Sequence, residues 1–347
     1  MTVSVIVPTY NYGRFLPDAL ESIRKQTYPD WECIVVDDGS TDDTLTVVSA
    51  AAANDGRVRY VSQANKGPNA ARNRGIVESV GDYIQFLDAD DLLPPTKLQA
   101  QVHAMETDPS IGIIYSDARF FRDSATDLLP HRVPGPRPTT TTDTGLLDPL
   151  LRALVEYDNI MVVEGPLIRR SAITAVGPFE ESLLRGEDWQ YWLRCALAGV
   201  RFVADTDEER AVRVRLHPDS AMRNELAMHT SAIAIRGWLD GRLDDPSLRR
   251  LNRAQIHDTL ARMGVLEGRQ GHLLVGTRHL LRAGVAERRL DWLLRACGLP
   301  LLRLPGRDRL LALRRMILRQ PTPDGHVTSE PEATSREERA GPDRTEN

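Results

Sequence analysis

The chain has 347 residues, 44 of them Lys or Arg against 49 Asp or Glu, for a formal net charge of −5. That length supports one large catalytic domain with a smaller addition, and that charge argues against a general nucleic-acid binder. No apolar stretch reaches about 18 residues without a charge, so no transmembrane helix is expected.

The N-terminus enters a strand pattern almost at once, so no signal peptide is expected. Cys33, Cys195 and Cys297 stand apart in apolar surroundings and read as free thiols of a reducing compartment, so the expected location is cytoplasmic.

In chain order, Val3 to Pro8 is a β-branched run, and Phe15 to Gln26 has helical spacing with Phe15, Leu16, Ala19, Leu20 and Ile23 on one face. Cys33 to Val36 predicts a second strand, ending in Asp37-Asp38-Gly39-Ser40. Ser40 and Asp43 resemble a capping box opening a helix from Thr44 to Ala53. Val58 to Val61 gives a third strand, Pro68 to Ser79 a helix and Tyr83 to Leu87 a fourth strand.

Such alternation implies an α/β fold with a mostly parallel sheet and helices on both faces, and the continuous apolar runs agree with strands buried on both sides. The strand ends then lie along one edge. Pro8-Thr9-Tyr10-Asn11, Asp37 to Ser40 and Asp88-Ala89-Asp90-Asp91 would converge on one crevice, where open α/β sheets bind ligands. Singly, each end also reads as turn or cap chemistry.

Three carboxylates at the last strand end repel one another unless solvated or neutralised by a hard cation such as Mg²⁺ or Mn²⁺. Between the ends, Asn65 to Asn73 turns into a helix carrying Arg72, suited to an anionic or nucleotide ligand. A solvated helix charge is the alternative reading of Arg72.

The pieces VSVIVPTYN, QTYPDWECIVVDDGSTDDT, NKGPNAARNRG and QFLDADD, in this order and spacing, resemble the nucleotide-binding half of the family 2 glycosyltransferases of GT-A fold. With the later segments, the resemblance covers residues 2–222. It implies a Rossmann-like nucleotide-diphospho-sugar transferase that inverts the sugar's configuration with help from Mn²⁺ or Mg²⁺. Carried over by position, Pro8, Thr9, Tyr10 and Asn11 would line the base and ribose pocket, Asp38 would bind the base and Arg72 would sit near it. Asp88 would lie near the ribose and metal, and Asp90 would hold the metal.

Gly177-Pro178-Phe179-Glu180 and the later GEDWQYWLR are similar to the family's acceptor-side segment, which makes Asp188 the general base, with Glu187 orienting the loop or touching acceptor hydroxyls. From composition alone the two acids read as helix-dipole chemistry ahead of Trp189, Trp192, Leu193 and Ala196. Of Trp189, Tyr191 and Trp192, two are expected in the core and one could stack on a sugar. The segment around Arg215 and His217 is similar to the family stretch whose His completes the metal shell or touches the diphosphate, with Arg215 a candidate for the phosphates.

The expected divisions are a donor half over 1–115, an acceptor half over 116–224, a C-terminal helical extension over 225–320 and a disordered tail over 321–347, rich in Glu, Pro, Ser, Thr and Arg. Arg122 to Asp143 reads as a loop, either a lid or a passive connection. From Arg282 to Arg319, ten arginines alternate with Leu, Trp, Met and Ile. This pattern fits an interfacial helix on an anionic membrane surface and, equally, an appendage packing its leucines on the catalytic domain.

The partners expected are a nucleotide-diphospho-sugar donor, with UDP as the default, and a glycan or lipid-linked acceptor in cell-envelope polysaccharide synthesis. A non-catalytic nucleotide-sugar-binding module is the alternative. A dinucleotide oxidoreductase is disfavoured because no G-x-G-x-x-G follows the first strand.

Overall fold

A computed structural model describes residues 1–122, 149–183, 185–217 and 225–301. The loop expected over Arg122 to Asp143, the tail after Gln320 and most of the arginine-rich stretch beyond residue 301 lie largely outside the described residues.

Strands β1 (Val3–Thr9), β2 (Trp31–Asp37), β3 (Val58–Ser62) and β4 (Tyr83–Phe86) alternate with helices α1 (Leu16–Arg24), α2 (Thr44–Asn54) and α3 (Pro68–Glu78), each within a few residues of the sequence reading. After α4 (Lys97–Thr107) come β5 (Ile113–Ser116), β6 (Ala118–Phe121), α5 (Pro149–Glu156), β7 (Pro166–Arg169), α6 (Arg170–Val176), α7 (Glu187–Leu197), β8 (Phe202–Asp205) and β9 (Val212–Arg215). Four helices follow: α8 (Glu225–Asp240), α9 (Pro246–Arg269), α10 (Leu273–Glu287) and α11 (Leu290–Leu301).

The main sheet has the order β3-β2-β1-β4-β7-β5-β8, with β7 antiparallel to both of its neighbours and the other pairs parallel. The chain winds outward from β1 through β2 to β3, then returns to β4 on the other side of β1. The strand order therefore reverses between β1 and β4, and the crevice beyond their carboxyl ends is where such a sheet receives a ligand.

Side chains alternate across the sheet as strand geometry requires. Ile6, Ile34, Val36, Ile84 and Phe86 join one core with α3, α5 and α7, while Val3, Val5, Val7, Cys33 and Val35 join the other with α1, α2 and α4. Gly75 of α3 lies so close to β1 that a Cβ there would come 2.2 Å from Ile6 Cγ2, so this glycine sets the helix–sheet spacing.

The capping box is corrected. Asp43, not Ser40, occupies the N-cap of α2 and makes no side-chain cap bond there. The Ser40 hydroxyl instead accepts the Asn11 amide at 2.9 Å, tying the β1 loop to the β2 loop.

A second, two-stranded parallel sheet pairs β6 with β9. Reciprocal 3.0 Å backbone bonds between Leu92 and Arg213 fasten β9 to the chain just after Asp91. These bonds bring a segment more than 120 residues downstream to the end of β4.

In the C-terminal region, Ile235 and Leu239 of α8 and Leu248 of α9 join the same apolar cluster as Ile84 and Trp192. Farther out, Leu260, Val265, Leu280, Ala283, Trp292 and Ala296 form a separate helical cluster. No helix among the described residues is long and apolar enough to cross a membrane.

Candidate active site

The β1 and β2 ends form the floor of the crevice. Pro8 and Thr9 are buried, whereas Tyr10 and Asn11 are exposed. Asn11 adopts φ 57°, which Asn tolerates better than most residues, and its Oδ1 accepts the Thr41 amide at 2.7 Å. Asp38 is buried and accepts from Gln63 Nε2, the Lys66 amide and the Gly67 amide at 2.8–2.9 Å. It thereby holds the turn that launches α3, where Gly67 takes φ 91°.

Arg72 is not a solvated helix charge. It is 3% exposed and bonds Asp88 Oδ1 at 2.8 Å through Nη2, and Glu187 Oε1 at 2.9 Å through Nη1. Burial alone would weaken its hold on the proton, but the two carboxylates outweigh burial and push its pKa up. One guanidinium thus joins the end of β4 to the start of α7.

Beyond Asp88, Asp90 Oδ2 lies 2.9 Å from His217 Nε2, whose ring sits among those of Tyr12 and Phe15 at centroid distances of 5.6 and 4.8 Å. Burial first, then the neighbouring Asp88, raises the Asp90 pKa, and His217 opposes the rise. The structure therefore brings together Asp90 and His217 from opposite ends of the domain.

Sequence reasoning missed Glu164, which lies in the buried segment leading into β7. Oxygens of Asp88, Asp91 and Glu164 lie within 4.8 Å of one another. Burial pushes Asp91 and Glu164 well above the usual carboxylate range. Glu164 adds to the rise at Asp91, and Asp88 to the rise at Glu164. The signal was a lone acid in the apolar run Met161-Val162-Val163-Glu164-Gly165.

Arg215 braces this corner. Its amide donates to Asp91 Oδ1 at 2.7 Å, its Nε to the Asp90 carbonyl at 3.0 Å and its Nη2 to Asp18 at 2.8 Å.

Helix α7 opens from Gly186 at φ 69° and presents Glu187 and Asp188 in its first turn. Asp188 is partly exposed, and its two oxygens accept from the Trp189 amide at 2.8 Å and from Asn159 Nδ2 at 2.6 Å. Burial of the group and then the Glu187 charge push its pKa up to about 7, against the Trp189 amide, Arg72 and Asn159. A carboxylate so poised exchanges a proton near neutrality.

All three aromatics are core. Trp189, Tyr191 and Trp192 are at most 2% exposed, and Tyr191 stacks on Phe179 at 4.1 Å. None is left to stack on a sugar.

A mainly parallel α/β sheet with carboxylates beyond its switch point, and the acidic start of α7 tied to them through Arg72, is an α/β fold with one acidic site at the place where such sheets bind ligands. Residues 4–161, a little under half of the chain, match the family model described as glycosyl transferase family 2.

Glycosyltransferase GlyG of Streptococcus pneumoniae is 41% identical over 127 residues, 34% of this chain and 42% of that protein. Chondroitin synthase of Escherichia coli is 38% identical over 117 residues, 34% of this chain and 17% of that protein. The chain thus spans less than half the length of these curated relatives.

Among solved structures, Staphylococcus aureus TarS 1–349 in complex with UDP-GlcNAc superposes with TM-score 0.55 at 19% identity, covering 92% of this chain and 88% of that one. The mannosyltransferase PcManGT of Pyrobaculum calidifontis, in complex with GDP-Man and Mn²⁺, gives TM-score 0.56 at 20% identity, covering 91% and 85%. These likenesses establish the fold.

Proposed function

We propose that the protein is a metal-dependent inverting glycosyltransferase that moves a sugar from a nucleotide diphosphate, UDP by default, to a hydroxyl of a glycan or lipid-linked acceptor in envelope polysaccharide synthesis. One observation carries the reading. Arg72 ties Asp88, at the end of β4, to Glu187, the neighbour of Asp188 at the start of α7, so the two sets of carboxylates meet at one place. The fold neighbours bound to UDP-GlcNAc and to GDP-Man with Mn²⁺ support a nucleotide-sugar donor.

The residues fit a divalent cation. Asp90 and His217 meet at 2.9 Å, and Asp88 lies with Asp91 and Glu164 in a carboxylate cluster whose mutual repulsion a cation would relieve. Carboxylate oxygens with one imidazole nitrogen suit Mn²⁺ or Mg²⁺. When bound there, such an ion supplies charge stabilisation to the departing diphosphate.

The protein's own groups do the rest. Pro8, Thr9, Tyr10, Asn11 and Asp38 frame the nucleoside, Asp88 lies near the ribose, and Arg215 backs the phosphates. Asp188 takes the acceptor hydroxyl's proton as that oxygen forms its bond to sugar C1 and the C1–O bond to the diphosphate breaks. Inversion needs the base on the face of the sugar opposite the leaving group, and Asp188 comes from α7, a different element from the β4 end that carries Asp90. Glu187, held by Arg72, keeps the start of α7 in register.

The competing reading, a binding module without catalysis, makes a different prediction for Asp188→Asn. Donor binding kept with transfer lost supports the base; undiminished transfer refutes it.

Peripheral attachment to an anionic lipid surface belongs to the same proposal, but with its contact on α10. Leu274, Leu281 and Val285 are 84%, 40% and 68% exposed, at spacing that puts them on one helix face, with Arg278 and Arg282 interleaved. Trp292 of α11 is turned inward at 6% exposure. Deleting Arg282 to Gln320 would therefore damage the helical cluster, and Leu274→Glu with Leu281→Glu is the cleaner test. Lost flotation with anionic vesicles supports attachment through this face, and retained flotation refutes it.

A further inference from the structure

Each oxygen of Asp188 has its own donor, and both donors lead back to one residue of the C-terminal helices. Asn159, in the loop after α5, gives its Nδ2 hydrogen to Oδ2, and the Trp189 amide serves Oδ1. Arg236 of α8 is fully buried. Its guanidinium pairs with Asp158, the residue before Asn159, and donates to the Val155 carbonyl at 2.9 Å and to Asn252 Oδ1 at 3.2 Å. The same guanidinium lies 5.1 Å from the centre of the Trp189 ring.

Two features of the backbone agree. Asp158 adopts φ 62°, a left-handed conformation that Asp tolerates better than most residues, and in that conformation its carboxylate meets Arg236. Ile235, the neighbour of Arg236, has its Cδ1 3.0 Å from where a Cβ on Gly186 would stand, so α8 also packs on the φ 69° turn that opens α7. Helix α8 thus touches the residue before the acidic pair, the residue after it and the loop that reaches across to it.

We infer that α8 is a positioning element for the reacting carboxylate: Asn159 fixes the orientation of Asp188, and Arg236 fixes Asn159 and Trp189. The inference rests on the reading of Asp188 as the base. It makes the C-terminal helical region part of the catalytic apparatus, acting from behind through Arg236 without touching substrate.

The charged groups facing Asp188 are Glu187 from its own helix and Arg72 from α3. Glu187 and burial favour the protonated acid, whereas Arg72, the Trp189 amide and Asn159 favour the carboxylate. Removing the Asn159 donor leaves less to oppose burial, so the Asp188 carboxyl should titrate at higher pH.

The test is a ¹³C NMR titration of the Asp188 carboxyl, assigned by its disappearance in Asp188→Asn, in the wild-type chain, Asn159→Ala and Arg236→Lys. Calorimetry with UDP and Mn²⁺ shows that each variant keeps the donor site. The expected result is a midpoint raised by about one pH unit in Asn159→Ala, the order of one hydrogen bond to a charged group. A smaller rise is expected in Arg236→Lys, which keeps the charge but loses the planar fork.

Should Asn159→Ala fail to fold, the Arg236→Lys shift decides the matter alone. An unmoved midpoint in the folded variants overturns the inference whatever happens to transfer. Transfer that survives Asp188→Asn overturns the base reading instead, and the catalytic sense of the positioning with it.

Discussion

Arg72→Met removes a buried cation shared by Asp88 and Glu187 while keeping much of the side chain's length and apolar stem. Breaking a buried ion pair from one side costs about 3–5 kcal/mol when the abandoned charge stays buried. Here Asp88 is 36% and Glu187 15% exposed, so water compensates in part. A loss of about 2–3 kcal/mol is expected, which corresponds to a fall in Tm of roughly 3–5 °C for a chain of this length.

Arg72 also favours the charged form of Asp188, so its loss should raise that carboxyl's titration midpoint above about 7. Calorimetric melting and the pH profile of transfer read the two effects separately. A Tm within a degree or so of wild type, together with an unmoved acid limb, would refute the account of Arg72 as the charge that joins Asp88 to Glu187.

Three further outcomes follow from named groups. Transfer should fall about tenfold per pH unit below about 7 and level off above it, because the base must be unprotonated; a flat profile from pH 5 to 8 contradicts the assignment. The Asp188 pKa is raised on folding from the ordinary 3.8 to about 7, so its ionisation costs nothing below the first value, costs stability progressively between the two and costs it fully above the second. Asp188→Asn should therefore stabilise the chain at pH 8, by on the order of 1–2 kcal/mol after allowance for partial solvent exposure, and not at pH 4; urea melts at both values check this. Gly75→Ala drives a methyl to 2.2 Å from Ile6 and should destabilise by about 1–3 kcal/mol with donor affinity retained in the folded fraction, as denaturation and calorimetry would show.

The first four strands and three helices were legible because β1, β2 and β4 are mainly apolar runs that stop at Pro or Asp, β3 is a short run rich in Val and Tyr, and helical patterns lie between them. The crevice was legible for the same reason: parallel strands place their ends on one edge. What the chain order hides is pairing at a distance. Arg72 meets Glu187 across 115 positions, and Asp90 meets His217 across 127. Neither contact has a local pattern, although the resemblance had marked all four residues separately.

Ser40 carries a cap signature that lost to a tertiary partner, since the Asn11 amide takes its hydroxyl. Glu164 and Asn159 escaped notice because one acid in an apolar run and one amide in a loop acquire meaning only from what the fold sets beside them. The aromatic run of α7 reads equally as a sugar platform or as core, and the packing of Phe179 against Tyr191 decides for core.

The central claim is a metal-dependent nucleotide-sugar site at the end of β4. Calorimetry with UDP, GDP and dTDP, in Mn²⁺ and then in excess chelator, on wild type and Asp90→Ala, tests it most directly. The account predicts micromolar binding of one nucleotide that is lost both with chelator and with Asp90→Ala; nucleotide binding indifferent to metal and to Asp90, or no binding of any of the three, would contradict it.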